Sequence, residues 1–339
     1  MTAAYFFVLG GVVGSFLNVV AFRMPLGLNL LWPGSRCPAC GTPIRLRDNI
    51  PIFSWLWLRG RCRTCGSEIP ARYFLVELTM ASMFLALAGF ELLSGGANLP
   101  LRGQNPRTGV VQVIWETKWD LLGIYLYHCC LLSTLMAIAL IRLDRQTAPR
   151  RLWLVALGLG LVFPLAWPDL RPVPWLFPRP DWLPSDWRSG LTEGLAGALA
   201  GLIAGGLLAV ASRSSTGRDD RFDAMLPTLS IIGAFLGWQA AVSVAVLAAI
   251  GMSLACIAGL LWRRRRPWPL AVWLTVATFV QLGLWRFLSE QPGWPGHIAG
   301  WIVFAVYALG LCLLGAVIGR VGRADEVTEL PAEPAPDGR

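Results

Sequence analysis

Four cysteines are spaced for metal chemistry. Cys37, Cys40, Cys62 and Cys65 form the pattern C-x2-C-x21-C-x2-C. Each Cys-x-x-Cys turn brings two sulfurs to one ion, and two such turns complete a tetrahedral zinc site. A thiol–disulfide site would use one pair in a strand–helix–strand setting, which this stretch lacks. The intervening residues are too few for a self-sufficient core, so metal is what orders them. Cys129, Cys130, Cys256 and Cys312 stand inside apolar runs and read as small apolar side chains.

The elements that carry this clamp are written for lipid. Of 339 residues, 55% are hydrophobic and 14% charged, and the mean hydropathy is +0.56. Apolar runs over 3–22, 73–93, 121–141, 152–167, 190–211, 225–239, 241–262, 268–288 and 298–319 predict an all-α polytopic membrane protein of about eight or nine transmembrane helices. The runs 152–167 and 225–239 are short for a span. The opening stretch has no basic region ahead of its apolar core and reads as a retained first span, not a signal peptide. Arginine fills 23–72, 142–151 and 263–266, whereas 94–120 and 168–189 mix bases with acids. The positive-inside rule then puts the cysteine loop in the cytoplasm and the N-terminus outside. The net charge of +9 is a topology signal and excludes nucleic acid as the expected partner, since the bases are spread over short loops. The expected organisation is a first helix over 1–23, a cytoplasmic zinc-binding domain over 24–72, a membrane domain over 73–320 and a disordered acidic tail over 321–339. No internal repeat of fixed period is expected.

Two stretches resemble the type IV prepilin leader peptidases, polytopic aspartic proteases that also N-methylate the processed pilin. They are "GGVVGSFLNVVAFRMP" and "RCPACGTPIRLRDNIPIFSWLWLRGRCRTCGSEIPARYFLVELT", which span nearly all of residues 10–79, and "IIGAFLGWQAA" at 231–241 adds to them. The resemblance implies a bacterial inner-membrane enzyme whose partners are pilin-like precursor helices and the bilayer. It implies zinc, S-adenosylmethionine as methyl donor, and two aspartates that share a proton and activate water.

The catalytic pattern is altered here. The family's first motif, ID-x-D-x4-PD, aligns with "IRLDRQTAPR", so Arg142 stands at the catalytic aspartate and Asp144 at the second acid. The second motif, GxGD, ends eight residues before Gly233, at Met225. A guanidinium cannot act as a base, and a thioether has no proton to exchange. Asp144, Asp220 and Asp223 are the acids left to replace them. Asp144 and Asp223 each lie two residues off register, about 200° around a helix. Their plain alternative is a loop charge paired with Arg142, Arg145, Arg218 or Arg221. The leading expectation is a family member with lost or impaired cleavage. Its rivals are an active peptidase built on Asp144 with Asp220 or Asp223, and a non-catalytic scaffold of a pilus or type II secretion machine. Other readings concern single residues. Asn18 bonds between helices or lines a substrate groove, Gly11 and Gly14 allow close helix approach, and Glu77 is functional or snorkels. Glu193 is interfacial, His128 bonds a neighbour, and the tryptophans of 153–187 and 263–301 form interfacial belts.

Overall fold

The computed structural model describes residues 2–100, 118–173, 187–211, 225–261, 268–291, 294–295 and scattered positions between 302 and 316. The runs at 212–224 and 321–339, with Asp220 and Asp223, lie outside the described residues, as does most of the run 298–319. The helices are α1 Thr2–Arg23, α2 Phe53–Trp57, α3 Ala71–Leu87, α4 Trp119–Leu143, α5 Arg150–Ala166, α6 Trp187–Ala211, α7 Met225–Leu236, α8 Trp238–Leu261, α9 Leu270–Gly283 and α10 Trp285–Ser289. A π-helical turn over Ala88–Leu93 continues α3.

The protein is a helical multi-pass membrane protein. Among the described residues, five stretches are long and apolar enough to cross a bilayer: Ala3–Arg23, Ala71–Leu93, Trp119–Leu143, Trp187–Val210 and Trp238–Ala258. Met225–Leu236 and Leu270–Gly283 are shorter apolar helices. The expected run at 225–239 is thus a helix of 12 residues, stopped where Gly237 turns the chain at φ +87. Among the described residues, β structure is limited to two isolated bridges, both in the cysteine loop.

Helix α4 is the axis of the bundle, with Leu131, Leu132, Leu135 and Ile138 fully buried. Backbone contact without side chains builds two seams beside it. A Cβ on Gly10 would sit 2.5 Å from the Met80 carbonyl oxygen, and one on Gly14 2.8 Å from the Glu77 Cα, so α1 and α3 touch along their backbones. Gly10 and Gly14 make this approach, while Gly11 faces the cysteine loop instead. In the second seam a Cβ on Gly197 of α6 would strike the Gly233 carbonyl of α7, and the reverse substitution would strike Gly197.

Polar groups at membrane depth are buried in protein, where unpaired backbone and charge would otherwise be costly. Arg171, 5% exposed, donates to the carbonyls of Ala234, Gly160 and Gly190, tying α7, α5 and α6 together. His128 Nδ1 lies 2.6 Å from Glu91 Oε1, with both side chains fully buried, so His128 does bond a neighbour. Asn18 Nδ2 donates to the Tyr73 carbonyl at 3.3 Å, an interhelical bond. Two expectations are corrected. Glu193 is buried, and Trp285 and Trp294 are core residues and no part of an interfacial belt. Polarity and composition flagged these residues as interfacial, but tertiary packing buries them.

Candidate metal knot and candidate acid site

The chain folds the two Cys-x-x-Cys pairs into matching turns. In the first, Cys37 N–H donates to the Thr42 carbonyl and Gly41 N–H to the Cys37 carbonyl, at 3.0 and 2.9 Å. In the second, Cys62 N–H donates to Ser67 and Gly66 N–H to Cys62, at 2.8 and 2.9 Å. Gly41 and Gly66 both have positive φ, +68 and +71, the left-handed step that such a turn needs. Each turn is closed by an isolated bridge, Arg36 with Pro43 and Arg61 with Glu68. The two copies read C-x-x-C-G-[TS]-x-I at 37–44 and 62–69, a local duplication that a search for a fixed period passes over.

The four sulfurs lie within 4.8 Å of one another, and those of Cys37 and Cys65 are 3.9 Å apart. A tetrahedral site with Zn–S near 2.3 Å has sulfur–sulfur edges of ~3.8 Å, so the four thiols can hold one such ion with little movement. Thiolate is the ligating form, and the knot favours it at Cys37 and Cys65, whereas burial and the hydrogen bonds with Cys37 and Cys65 push the Cys62 thiol up. The Cys40 backbone N–H, helped by the Ser67 hydroxyl, lowers the Cys37 pKa to about 6. Ser67 likewise lowers Cys65. Cys129 and Cys256 are buried among apolar side chains, as their positions suggest.

Within the loop, Arg63 grips Asp48 with Nε and Nη2 at 2.7–3.0 Å, and these hydrogen bonds, with the guanidinium charge, hold the Asp48 carboxyl below the usual range. Two contacts fasten the knot to α3. Trp55 stacks on Phe74 of α3 at 5.0 Å and donates Nε1–H to the Ile69 carbonyl at 3.1 Å. Glu77 Oε2 accepts the Ile52 N–H at 2.7 Å. Ile52 is buried with φ +67, a rare conformation for a β-branched residue. Glu77 therefore pins a strained turn of the loop.

The candidate acid site sits at the end of α4. The helix stops in a Schellman turn: Gln146 N–H bonds to the Ile141 carbonyl and Arg145 N–H to the Arg142 carbonyl, with Arg145 at φ +56. Arg142 is buried and donates to the Gln146 carbonyl at 3.4 Å. Asp144 is the C-cap, beyond the helical face that an off-register acid would have to share. Both of its oxygens are engaged by Arg72 of α3, Nη2 to Oδ2 at 2.7 Å and Nη1 to Oδ1. Asp144 is thus an ion-paired acid whose partner is Arg72, not one of the expected Arg142, Arg145, Arg218 or Arg221. Met225 opens α7, 3% exposed.

The fold and the knot define a helical membrane protein with a four-cysteine metal-binding loop. The model of the Bacterial Peptidase A24 N-terminal domain matches residues 8–90, the stretch from α1 through the knot to the π-helical turn. The chain is similar to the "Prepilin leader peptidase/N-methyltransferase" of Pectobacterium carotovorum subsp. carotovorum, 31% identical over 76% of this chain and 82% of that protein. It is 30% identical to that of Dickeya chrysanthemi over 84% of this chain and 92% of the relative. For that of Klebsiella pneumoniae the identity is 32%, over 70% and 86%. No solved structure matches. The chain belongs to the prepilin leader peptidase/N-methyltransferase family.

Proposed function

We propose that this chain engages pilin-like precursor helices in the bacterial inner membrane, with its knot in the cytoplasm holding zinc, and that its proteolytic step is lost or impaired. The observation that carries the reading is the pair Arg142 and Asp144. In the register that the resemblance implies, a buried guanidinium stands where the family has its catalytic aspartate, and Asp144 of the same motif is taken up by Arg72. Acid–base sharing needs one carboxyl protonated beside one ionised. Both Asp144 oxygens are engaged by Arg72, which leaves neither free to share a proton with a second carboxyl. The relatives' name also includes N-methyl transfer. S-adenosylmethionine is the donor that the resemblance implies, and no residue of this chain is assigned to it.

The test is co-expression with a pilin-type precursor in cells lacking other prepilin peptidases, read as substrate mass. The expected result is an uncut precursor with the wild type and some restored cutting with the Arg142→Asp/Met225→Asp double variant. Cutting by the wild type that disappears in Asp144→Asn or Asp223→Asn would instead establish an active peptidase with shifted acids. Cutting that survives both would move the catalytic groups elsewhere.

A further inference from the structure

Between Asp48 and Arg59 the cysteine loop runs N-I-P-I-F-S-W-L-W-L without a charge. An apolar run of this length is too short to span a bilayer and fits a re-entrant or interfacial element. Its place against the helices shows how deep it goes. A Cβ on Gly11 would lie 3.5 Å from the Pro51 Cβ, 3.7 Å from the Ile52 Cδ1 and 3.9 Å from the Ala81 Cβ. Gly11 precedes the end of α1 at Arg23 by twelve residues, about 18 Å along a helix. Ala81 follows the start of α3 at Ala71 by ten residues, about 15 Å. Pro51 and Ile52 therefore reach toward the middle of both spans. Glu77 is the group that satisfies the Ile52 N–H there, where no water would serve.

The outward side of the segment is bare and apolar. Trp57 is 83% exposed, Phe53 57% and Leu56 51%, while Trp55 turns inward onto Phe74. Beside it α1 shows Val8, Val12 and Phe16, and α3 shows Leu75, all exposed. The residues Val8, Val12 and Phe16 recur at i, i+4 and i+8, which makes them one stripe of the helix. Arg45 and Arg47 before the segment and Arg59 and Arg61 after it are exposed, and Arg63 is the one that Asp48 neutralises. An apolar wedge rimmed by unneutralised guanidinium groups matches one leaflet of an anionic bilayer, with acyl chain below and phosphate above.

We propose that residues 50–58 form a re-entrant wedge in the leaflet on the knot's side. Phe53, Leu56 and Trp57 contact acyl chains, and Arg45, Arg47, Arg59 and Arg61 contact anionic headgroups. The metal knot is then a monotopic platform seated in the bilayer, and the expected cytoplasmic domain over 24–72 is partly in lipid.

The test reconstitutes the full chain in vesicles of equal parts phosphatidylcholine and phosphatidylglycerol. A phospholipid with a diazirine in its acyl chain is photolysed and the adducts are mapped by mass spectrometry. The expected result is adducts on Phe53, Leu56 or Trp57 at a yield comparable to that on Val8–Phe16. The Leu56→Asp/Trp57→Asp variant should lose the label on 50–58 several-fold and keep it on α1, which also reports that the bundle has folded. Labelling of 50–58 by a water-soluble diazirine in place of the lipid probe would overturn the proposal. So would lipid labelling that a stoichiometric pilin-type helix abolishes, because the surface would then belong to a peptide.

Discussion

The two Cys-x-x-Cys turns differ from ordinary surface loops in one physical respect. Their backbone N–H groups and the Ser67 hydroxyl already favour thiolate at Cys37 and Cys65 before any ion arrives. Four thiolates within 4.8 Å of one another repel unless a cation sits among them. We expect close to one zinc per chain in protein purified without chelator. The Cys37→Ser/Cys65→Ser variant should lose it, as measured by elemental analysis, and equal zinc in variant and wild type would end the assignment. The spacing alone made these ligands legible, because each turn is settled within eight residues of chain. The other half of the site was not. Asp144 meets Arg72, seventy-two residues away, and Glu77 meets Ile52 through the path of a whole loop. No local pattern announces pairs of that kind.

At the scale of elements, backbone proximity does what side-chain interdigitation does in soluble bundles. Hydrophobicity gives helices little reason to associate within lipid, so close packing and buried hydrogen bonds carry the association. Arg171 shows how much rests on one side chain. It serves carbonyls on three helices, and a carbonyl left buried and unpaired costs about 1–3 kcal/mol. The Arg171→Leu variant should therefore lose several kcal/mol of stability. A lower thermal midpoint in detergent, or no monodisperse protein, would register it. Arg171→Lys keeps a charge but lacks the fork that reaches three acceptors, and should fall between. An unchanged midpoint for Arg171→Leu would mean that these bonds contribute nothing. Arg171 escaped notice in the sequence because it stands in a mixed-charge stretch after a short apolar run, where an arginine ordinarily faces water. The helices themselves were legible from apolar runs. The stop at Gly237 and the burial of Trp285 depend on neighbours, and composition is blind to both.

For the molecule as a whole, the arginine distribution predicts which way the bundle is inserted. Reporter fusions at Arg45 and Thr147 should score on the cytoplasmic side and one at Asn98 on the opposite side. An outside score at either of the first two would reverse the orientation. The knot and the spans also form one thermodynamic system, joined through Ile52. A β-branched residue held at positive φ costs on the order of 1–3 kcal/mol, and the surrounding structure must sustain it. Glu77 supplies part of that support from inside the α1–α3 seam, and the ordered loop supplies the rest. A ligand that binds only the folded knot therefore adds to the stability of the helix pair, by ~2.7 kcal/mol when free ion is a hundredfold above its dissociation constant. Melting of the spans should then track zinc activity, rising with buffered zinc and falling with chelator. Glu77→Gln should weaken that dependence while leaving the four sulfurs in place. A protein of this build senses at lipid depth whether an ion is bound tens of residues away along the chain.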